Sequence, residues 1–592
     1  MRSALALLLL LPLLACGGGV PAESRFSTVQ ATAGQYMNPL PIVLFDGSRA
    51  ESCPDPSIIH GQEPDDDYWY LYCTNERFAD HARVHLLPIS KSLDLVNWTY
   101  VGDVFDRLPP WVAPGAGLWA PDIQFFNGKY YLYYSASNTV MGGSAIFVAT
   151  SDTPVGPWSA ASTPVVEPGP APCCAGTLRA TIDSGIVQDG GQRYIFYGSF
   201  NGGISARLLS ADGLTSDRSS QIQITTADRY EAPYVIKRDG YFYLMVSAGG
   251  CCDGLMSGYG VFAARSLKPL GPYIDKDGNS MLDSRVGGTP VIAMEGNRWI
   301  GPGHNAVATD AAGQDWMVYH AVDSGKPYFA DSWTRRPLLI DPIEWVNGWP
   351  RVRNGAGASD AIQTAPVAVP EQPNLRTAAA SPVDVAGNML TTFSDEFVAP
   401  ALSPQWTWIR RPVNGTFGIS GGFFRFDTQA GQLYVGQHDA SVLSEPTPRG
   451  NYMVETRLSV NVPSWGQFNF VQGGLLIFKD DANYIKLVTA SINQTRQIEF
   501  AKQLGSKPSS SKYGSAFLAS PADTTYLRIV RRSKPNGSEL YTSYSSHDGV
   551  NWERGPTWTH TLGSGTKIGL VSMAGAGFST YFDYVRVYAL AN

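Results

Sequence analysis

Residues 130–135 read YYLYYS, and the same shape returns at 68–74 (YWYLYCT), 193–199 (RYIFYGS), 241–247 (YFYLMVS) and 315–320 (DWMVYH). Short aromatic and aliphatic runs of this kind are strands with little contact with water. Each follows a shorter apolar strand opened by a polar group: Asp55-Pro56-Ser57-Ile58-Ile59, Asp122-Ile123-Gln124, Asp183-Ser184-Gly185-Ile186-Val187, Glu231-Ala232-Pro233-Tyr234-Val235 and His304-Asn305-Ala306-Val307. Five copies of one unit predict five four-stranded blades around an axis. In such a ring the innermost strands converge, so Asp55, Asp122, Asp183, Glu231 and His304 are expected to face one another across a central channel. Like charges gathered there repel and raise at least one carboxyl pKa, which suits acid/base chemistry or a bound cation.

Outward from this repeat, residues 353–388 lose the aromatic strands and gain Ala and Pro, the composition of a linker. Alternation returns at 422–426, 452–460, 474–478, 484–489, 526–531, 540–545 and 580–588, predicting a two-sheet β-sandwich over 389–592. The expected fold is all-β: a five-bladed β-propeller over 36–352, then a β-sandwich. At the other end, the apolar run 4–15 is too short to span a bilayer and reads as a signal segment. Leu13-Leu14-Ala15-Cys16-Gly17 resembles a bacterial lipoprotein signal. That resemblance implies export, removal of residues before Cys16, lipidation of Cys16 and a tether over 17–35. The alternative is a secreted protein without the anchor.

The net charge of −7 and a charged fraction of only 16% argue against a nucleic-acid surface. Gly 61 and Pro 41 beside 12% aromatics fit many short strands joined by tight turns and argue against a disordered chain. Apart from Cys16, six cysteines remain, an even number that fits disulfides after export. Cys53 and Cys73 flank a hairpin-like segment. The doublets Cys173-Cys174 and Cys251-Cys252 leave vicinal disulfides and free thiols both open. No Cys-x-x-Cys or His-Glu-x-x-His occurs, so zinc is not expected. Gly418-Ile419-Ser420-Gly421-Gly422 has the spacing of a nucleophile elbow, but Phe423, Phe424 and Phe426 continue it as a strand where an elbow needs a helix. Asp275-Lys276-Asp277-Gly278-Asn279 begins like a calcium loop but places Ser280 where the sixth-position Gly belongs, so a surface turn is expected.

The set Asp55-Pro56-Ser57-Ile58, Trp119-Ala120-Pro121-Asp122-Ile123, Ile182-Asp183, Glu231-Ala232-Pro233-Tyr234 and Gly301-Pro302-Gly303-His304-Asn305 resembles glycoside hydrolase family 43. These are five-bladed propeller enzymes acting on arabinose- and xylose-containing polysaccharides. Cys251-Cys252-Asp253-Gly254, Ser257-Gly258-Tyr259, residues 271–278 (GPYIDKDG) and 345–352 (WVNGWPRV) resemble the endo-1,5-α-L-arabinanases within it. Two departures stand out: Ser184 follows Asp183 where those enzymes carry Pro, and Asp253 follows the doublet where they carry Arg. Residues 393–397 (FSDEF) and 582–588 (FDYVRVY) resemble a concanavalin-like sandwich appended to some members.

The resemblance implies inverting hydrolysis of arabinan, with Asp55 as general base, Glu231 as general acid and Asp183 tuning and orienting the acid. It also implies an axial calcium ion, largely hydrated, held by His304. Trp119, Asp122, Thr181, Ser199, Phe200 and Asn201 are the expected contacts to a polysaccharide substrate, with the axial polar network as the alternative place for Asp122. An exo-acting α-L-arabinofuranosidase or β-xylosidase is the alternative within the fold. A glycan-binding lipoprotein without activity is the reading outside catalysis.

Overall fold

The structure, a computed structural model, describes residues 34–171, 176–505 and 512–591. The expected signal segment with Cys16, nearly all of the expected tether and the Cys173-Cys174 doublet lie outside the described residues. Five antiparallel sheets form the propeller. Blade 1 runs outward from Ser57–His60 through Trp69–Tyr72, Pro88–Ser92 and Trp98–Asp103, with Ile42–Val43 added in parallel at its edge. Blades 2, 3 and 4 begin at Leu118–Phe126, Gly185–Asp189 and Glu231–Arg238, and blade 5 at Trp299–Thr309. The aromatic runs form each blade's second strand, which explains their composition, because both faces are covered by the flanking blades. Tyr70 and Tyr72 of blade 1 pack against Leu132, Tyr134 and Phe147 of blade 2.

All four strands of blade 5 come from residues 299–352, so the ring is closed by contacts of the segment before blade 1. Leu40 N–H donates to Leu338 O (2.9 Å) and Cys53 N–H to Arg336 O (2.9 Å), while Tyr36 Oη and Asn38 Nδ2 both donate to Asp341. Gln35–Tyr36 also pairs with Gln363–Thr364. The expected linker 353–388 is therefore fastened at both ends, since Ala386–Met389 pairs with the final strand Ser579–Leu590. Between those ends it packs on blade 5, where Ala358 joins the core, Ser359 O accepts from Trp299 Nε1 (2.7 Å) and Val367 N–H donates to Asp310 (3.0 Å).

The C-terminal domain is a sandwich of an eight-stranded and a seven-stranded sheet around Phe424, Phe426, Leu475, Ile485, Leu527 and Phe582. Residues 418–422 form a hairpin between Phe417–Ser420 and Phe423–Asp427, as their strand reading predicts. The sandwich packs tightly on blade 4. Arg229, fully buried, donates to Gln497 Oε1 (3.0 Å) and Leu518 O (2.8 Å), and a Cβ on Gly258 would lie 1.9 Å from Ser515 O. Disulfides join Cys53 to Cys73 and Cys251 to Cys252. No helix of the described residues is long and apolar enough to cross a membrane.

Candidate active site

One feature repeats at every blade opening. Asp55, Ala120, Asp183, Ala232 and His304 all have φ between 43° and 58°, the left-handed region that non-glycine residues rarely occupy. Such backbone costs of order 1–3 kcal/mol and persists where its surroundings over-determine it. Here the restraint comes from the last residue of the preceding blade's aromatic run. Thr74 Oγ1 accepts from Ala120 N–H (2.7 Å), Ser135 Oγ from Asp183 N–H (2.9 Å) and Ser247 Oγ from His304 N–H (3.0 Å). Ser199 Oγ donates to Glu231 Oε2 (2.9 Å), and His320 Nδ1 accepts from Asp55 N–H (3.1 Å), which completes the circuit. The small polar residue or His that ends each aromatic run is thus the link to the next blade.

This circuit brings Asp55, Asp183, Glu231 and His304 together at the axis. Asp55 Oδ1 lies 2.9 Å from Arg336 Nη1, 3.2 Å from His304 Nδ1 and 3.4 Å from His320 Nδ1, and Oδ2 accepts from Thr74 Oγ1 (2.7 Å). Burial alone would raise its pKa, but the Arg336 guanidinium and then His304 outweigh it and hold the carboxyl well below the usual range. Glu231 stands in the opposite condition. Burial pushes its pKa up, against the hydrogen bonds that Tyr259 Oη (2.6 Å, to Oε1) and Ser199 Oγ donate. Asp183 is raised to about 7, first by burial, with His304 opposing and the charges of Glu231 and Asp55 adding to it, and its Oδ2 accepts from Ala232 N–H (3.1 Å). His304 is raised to about 8, because Asp55 and Asp183 outweigh the desolvation that would lower it.

Asp122 does not share this space. The residue in phase with Asp55 and Asp183 is Ala120, and Asp122 sits two positions farther along its strand, where it accepts from Ile186 N–H (2.9 Å) and from Gln124 Nε2. It occupies the place that Ser57 holds in blade 1, whose hydroxyl accepts from Ile123 N–H (3.1 Å). Burial raises it to about 7. The inner strand of blade 2 pairs irregularly with its neighbour between Tyr133 and Ser135, and the spacing of the openings does not decide which residue takes the axial position; here it missed by two residues.

Of the expected sugar contacts, Trp119 is 38% exposed, Asn201 is exposed and Phe200 half-buried. Ser199 is buried against Glu231. Thr181 is fully buried, with its N–H on Ser144 Oγ (2.9 Å), and so supports the rim from beneath without a surface for sugar. Arg336, His320 and Thr74 were not foreseen as site residues. The chemistry of Thr74 and His320 was nonetheless visible, because both occupy the terminal position of an aromatic run.

Among the described residues no three His, Cys, Asp or Glu side chains converge as a metal-ligand set. His304 offers one imidazole, with Nδ1 turned to Asp55. These residues fit only an ion held by one nitrogen and otherwise by water, not the oxygen cage of a dedicated calcium site.

A buried carboxylate held ionised beside buried carboxyls held towards the protonated state, on a five-bladed propeller, is the equipment of a glycoside hydrolase. Sequence comparison agrees: residues 49–350, just over half of the chain, match the profile described as Glycosyl hydrolases family 43, and the chain belongs to that family. Residues 394–587 match the Beta xylosidase C-terminal Concanavalin A-like domain. The chain is 32% identical over 318 residues to the extracellular endo-alpha-(1->5)-L-arabinanase 1 of Bacillus subtilis, covering 52% of this chain and 89% of that protein. It is also 32% identical over 336 residues to the extracellular exo-alpha-(1->5)-L-arabinofuranosidase ArbA of Cellvibrio japonicus, covering 52% and 88%. The solved α-L-arabinanase of Cellvibrio cellulosa matches at 32% identity and a TM-score of 0.43, over 51% of this chain and 95% of that one.

Proposed function

We propose that the protein hydrolyses α-1,5-linked L-arabinofuranosyl bonds within arabinan, by single displacement with inversion. The observation that carries this reading is the opposed electrostatics of two acids on one axis: Asp55 is kept ionised by Arg336 and His304, and Glu231 is pushed towards its protonated form by burial. In the proposed step Asp55 takes a proton from a water whose oxygen bonds to the anomeric carbon. The glycosidic C–O bond breaks, and Glu231 gives its proton to the departing oxygen. Asp183, fixed by Ser135 and Ala232, holds the strand start that carries Glu231 and, once ionised, adds the negative charge that resists ionisation of the acid. Tyr259 and Ser199 fix the position of Glu231.

A hydrated calcium ion at His304 would add positive charge beside the carboxylates, and no proton transfer in this scheme runs through it. The arabinan-directed names of the relatives support the substrate, and their description as extracellular supports export. Lipid anchoring through Cys16 is part of the same proposal.

Timed digestion of debranched arabinan and xylan side by side tests it. Short arabino-oligosaccharides at early times are the expected product. Arabinose alone from the outset would replace the endo reading with the exo one favoured by the second relative, and release of xylose with none of arabinose would remove arabinan as the substrate.

A further inference from the structure

Blade 5 and the sandwich flank a half-open cavity of about 630 Å³, within the roughly 300–1,000 Å³ usual for organic ligands. Its charged lining is one-sided. Arg298, Lys502 and Lys534 contribute to it and no carboxylate does, in a chain whose net charge is −7. Arg298 is paired with Asp323, but neither lysine has an acidic partner among the described residues. Lys534 Nζ donates to Gly296 O (2.6 Å). Lys502, only 7% exposed, finds Thr559 O at 3.5 Å and the Trp558 ring at 4.6 Å.

The neighbouring strand shows what a buried lysine in this sheet ordinarily has. Lys486, 2% exposed, lies 3.2 Å from Glu499 and donates to Gln472 (2.7 Å). Burial without such a partner lowers Lys502 to about 8. A buried ammonium facing a cavity with no countercharge among the described residues calls for an anion supplied from outside.

The rest of the lining narrows its chemistry. Asn536 and Ser538 supply amide and hydroxyl groups, joined to each other by the bond from Ser538 Oγ to Asn536 Oδ1 (2.7 Å), and the volume far exceeds that of a small inorganic anion. The inner strand of blade 5 reaches the cavity at Trp299 and Ile300 and the axis at His304, so at ~3.3 Å per residue the two lie about 13 Å apart along one strand. That is a span of a few sugar units.

We propose that this cavity binds a uronic-acid residue of a polysaccharide, its carboxylate neutralising Lys502 and Lys534 and its hydroxyls meeting Asn536 and Ser538. The site does not depend on which glycosidic bond the catalytic centre cuts, so the test reads binding and not hydrolysis. Calorimetry on the full chain with unesterified trigalacturonate should show one-to-one binding that weakens as salt rises. The methyl-esterified trimer and arabinotriose should not bind, and inorganic phosphate at the same concentration should not displace the ligand. Lys502→Met should weaken binding at least tenfold while turnover of a soluble aryl arabinofuranoside stays unchanged. Lys534→Ala serves as a second variant should the first fail to fold. Equal binding of the ester, displacement by equimolar phosphate, or full affinity in both variants would overturn the proposal.

Discussion

In the sandwich, Glu455 lies against Arg528 and accepts from Tyr584 Oη (2.6 Å), and Glu539 lies against Arg531 and accepts from Tyr541 Oη (2.9 Å) and Leu562 N–H (2.8 Å). Each acid has its own cation. At the propeller axis, Asp55, Asp183 and Glu231 share His304, and the one guanidinium among them, Arg336, is spent on Asp55. The first arrangement neutralises buried charge and leaves it inert. The second leaves too little positive charge for three acids, so that Asp55 is held ionised while Glu231 is pushed towards its protonated form.

The comparison breaks most sharply at Asp55. Asp55→Asn should reduce arabinan hydrolysis at least about a thousandfold and reduce turnover of an aryl arabinofuranoside equally, because water must be activated whatever leaves. Unchanged activity would take Asp55 out of the mechanism. Glu231→Gln should cost roughly 10²–10⁴-fold on arabinan and far less on an aryl glycoside whose leaving group needs no proton. Equal losses on both substrates would deny Glu231 the role of acid.

On the other side of the comparison, Glu455→Gln removes one partner of a buried pair. It should lower unfolding stability by ~3 kcal/mol, read as a fall in denaturation midpoint, while kcat measured well below the midpoint stays at the wild-type value. A large loss of kcat with wild-type stability would show that the sandwich pair is catalytic after all.

The smallest effects are shifts of pH. Activity needs the acid protonated, so it declines as pH rises through the pKa of Glu231. Asp183→Asn removes a negative neighbour, lowers that pKa and should move the alkaline limb of kcat/KM to lower pH, by on the order of one unit for a coupling of about 1.4 kcal/mol. Tyr259→Phe removes a hydrogen bond that favours the charged form and should move the same limb to higher pH. Limbs that stay at the wild-type pH in both variants would refute this account of how the acid is tuned.

The repeat of aromatic runs made the propeller legible, because a strand sandwiched between two blades tolerates almost nothing else. Asp55, Asp183 and Glu231 were legible for the same reason, each opening the short strand that precedes such a run. Asp122 was misplaced because it stands two residues beyond Ala120, the residue that takes the opening position in blade 2, and counting from motif to motif does not decide which residue of an opening takes it. Arg336 was hidden in 333–337 (WTRRP), where two adjacent arginines part company: Arg335 pairs with Glu51 and Asp80, and Arg336 goes inward to Asp55. Only the closure of the ring decides between them. The cavity around Lys502 was invisible because its walls come from two domains that no local pattern connects.

The seam between blade 5 and blade 1 sets an order of events in time. Asp55 leaves the ribosome early, yet His304, His320 and Arg336, which prepare it for its work, follow more than two hundred residues later. Contacts this distant along the chain form slowly and late. A nascent chain that has finished four blades already holds all three acids but neither Arg336 nor His304, the groups that hold Asp55 ionised. The axial cluster is therefore incomplete through most of synthesis, and Asp55 gains the partners that hold it ionised only when the last blade meets the first.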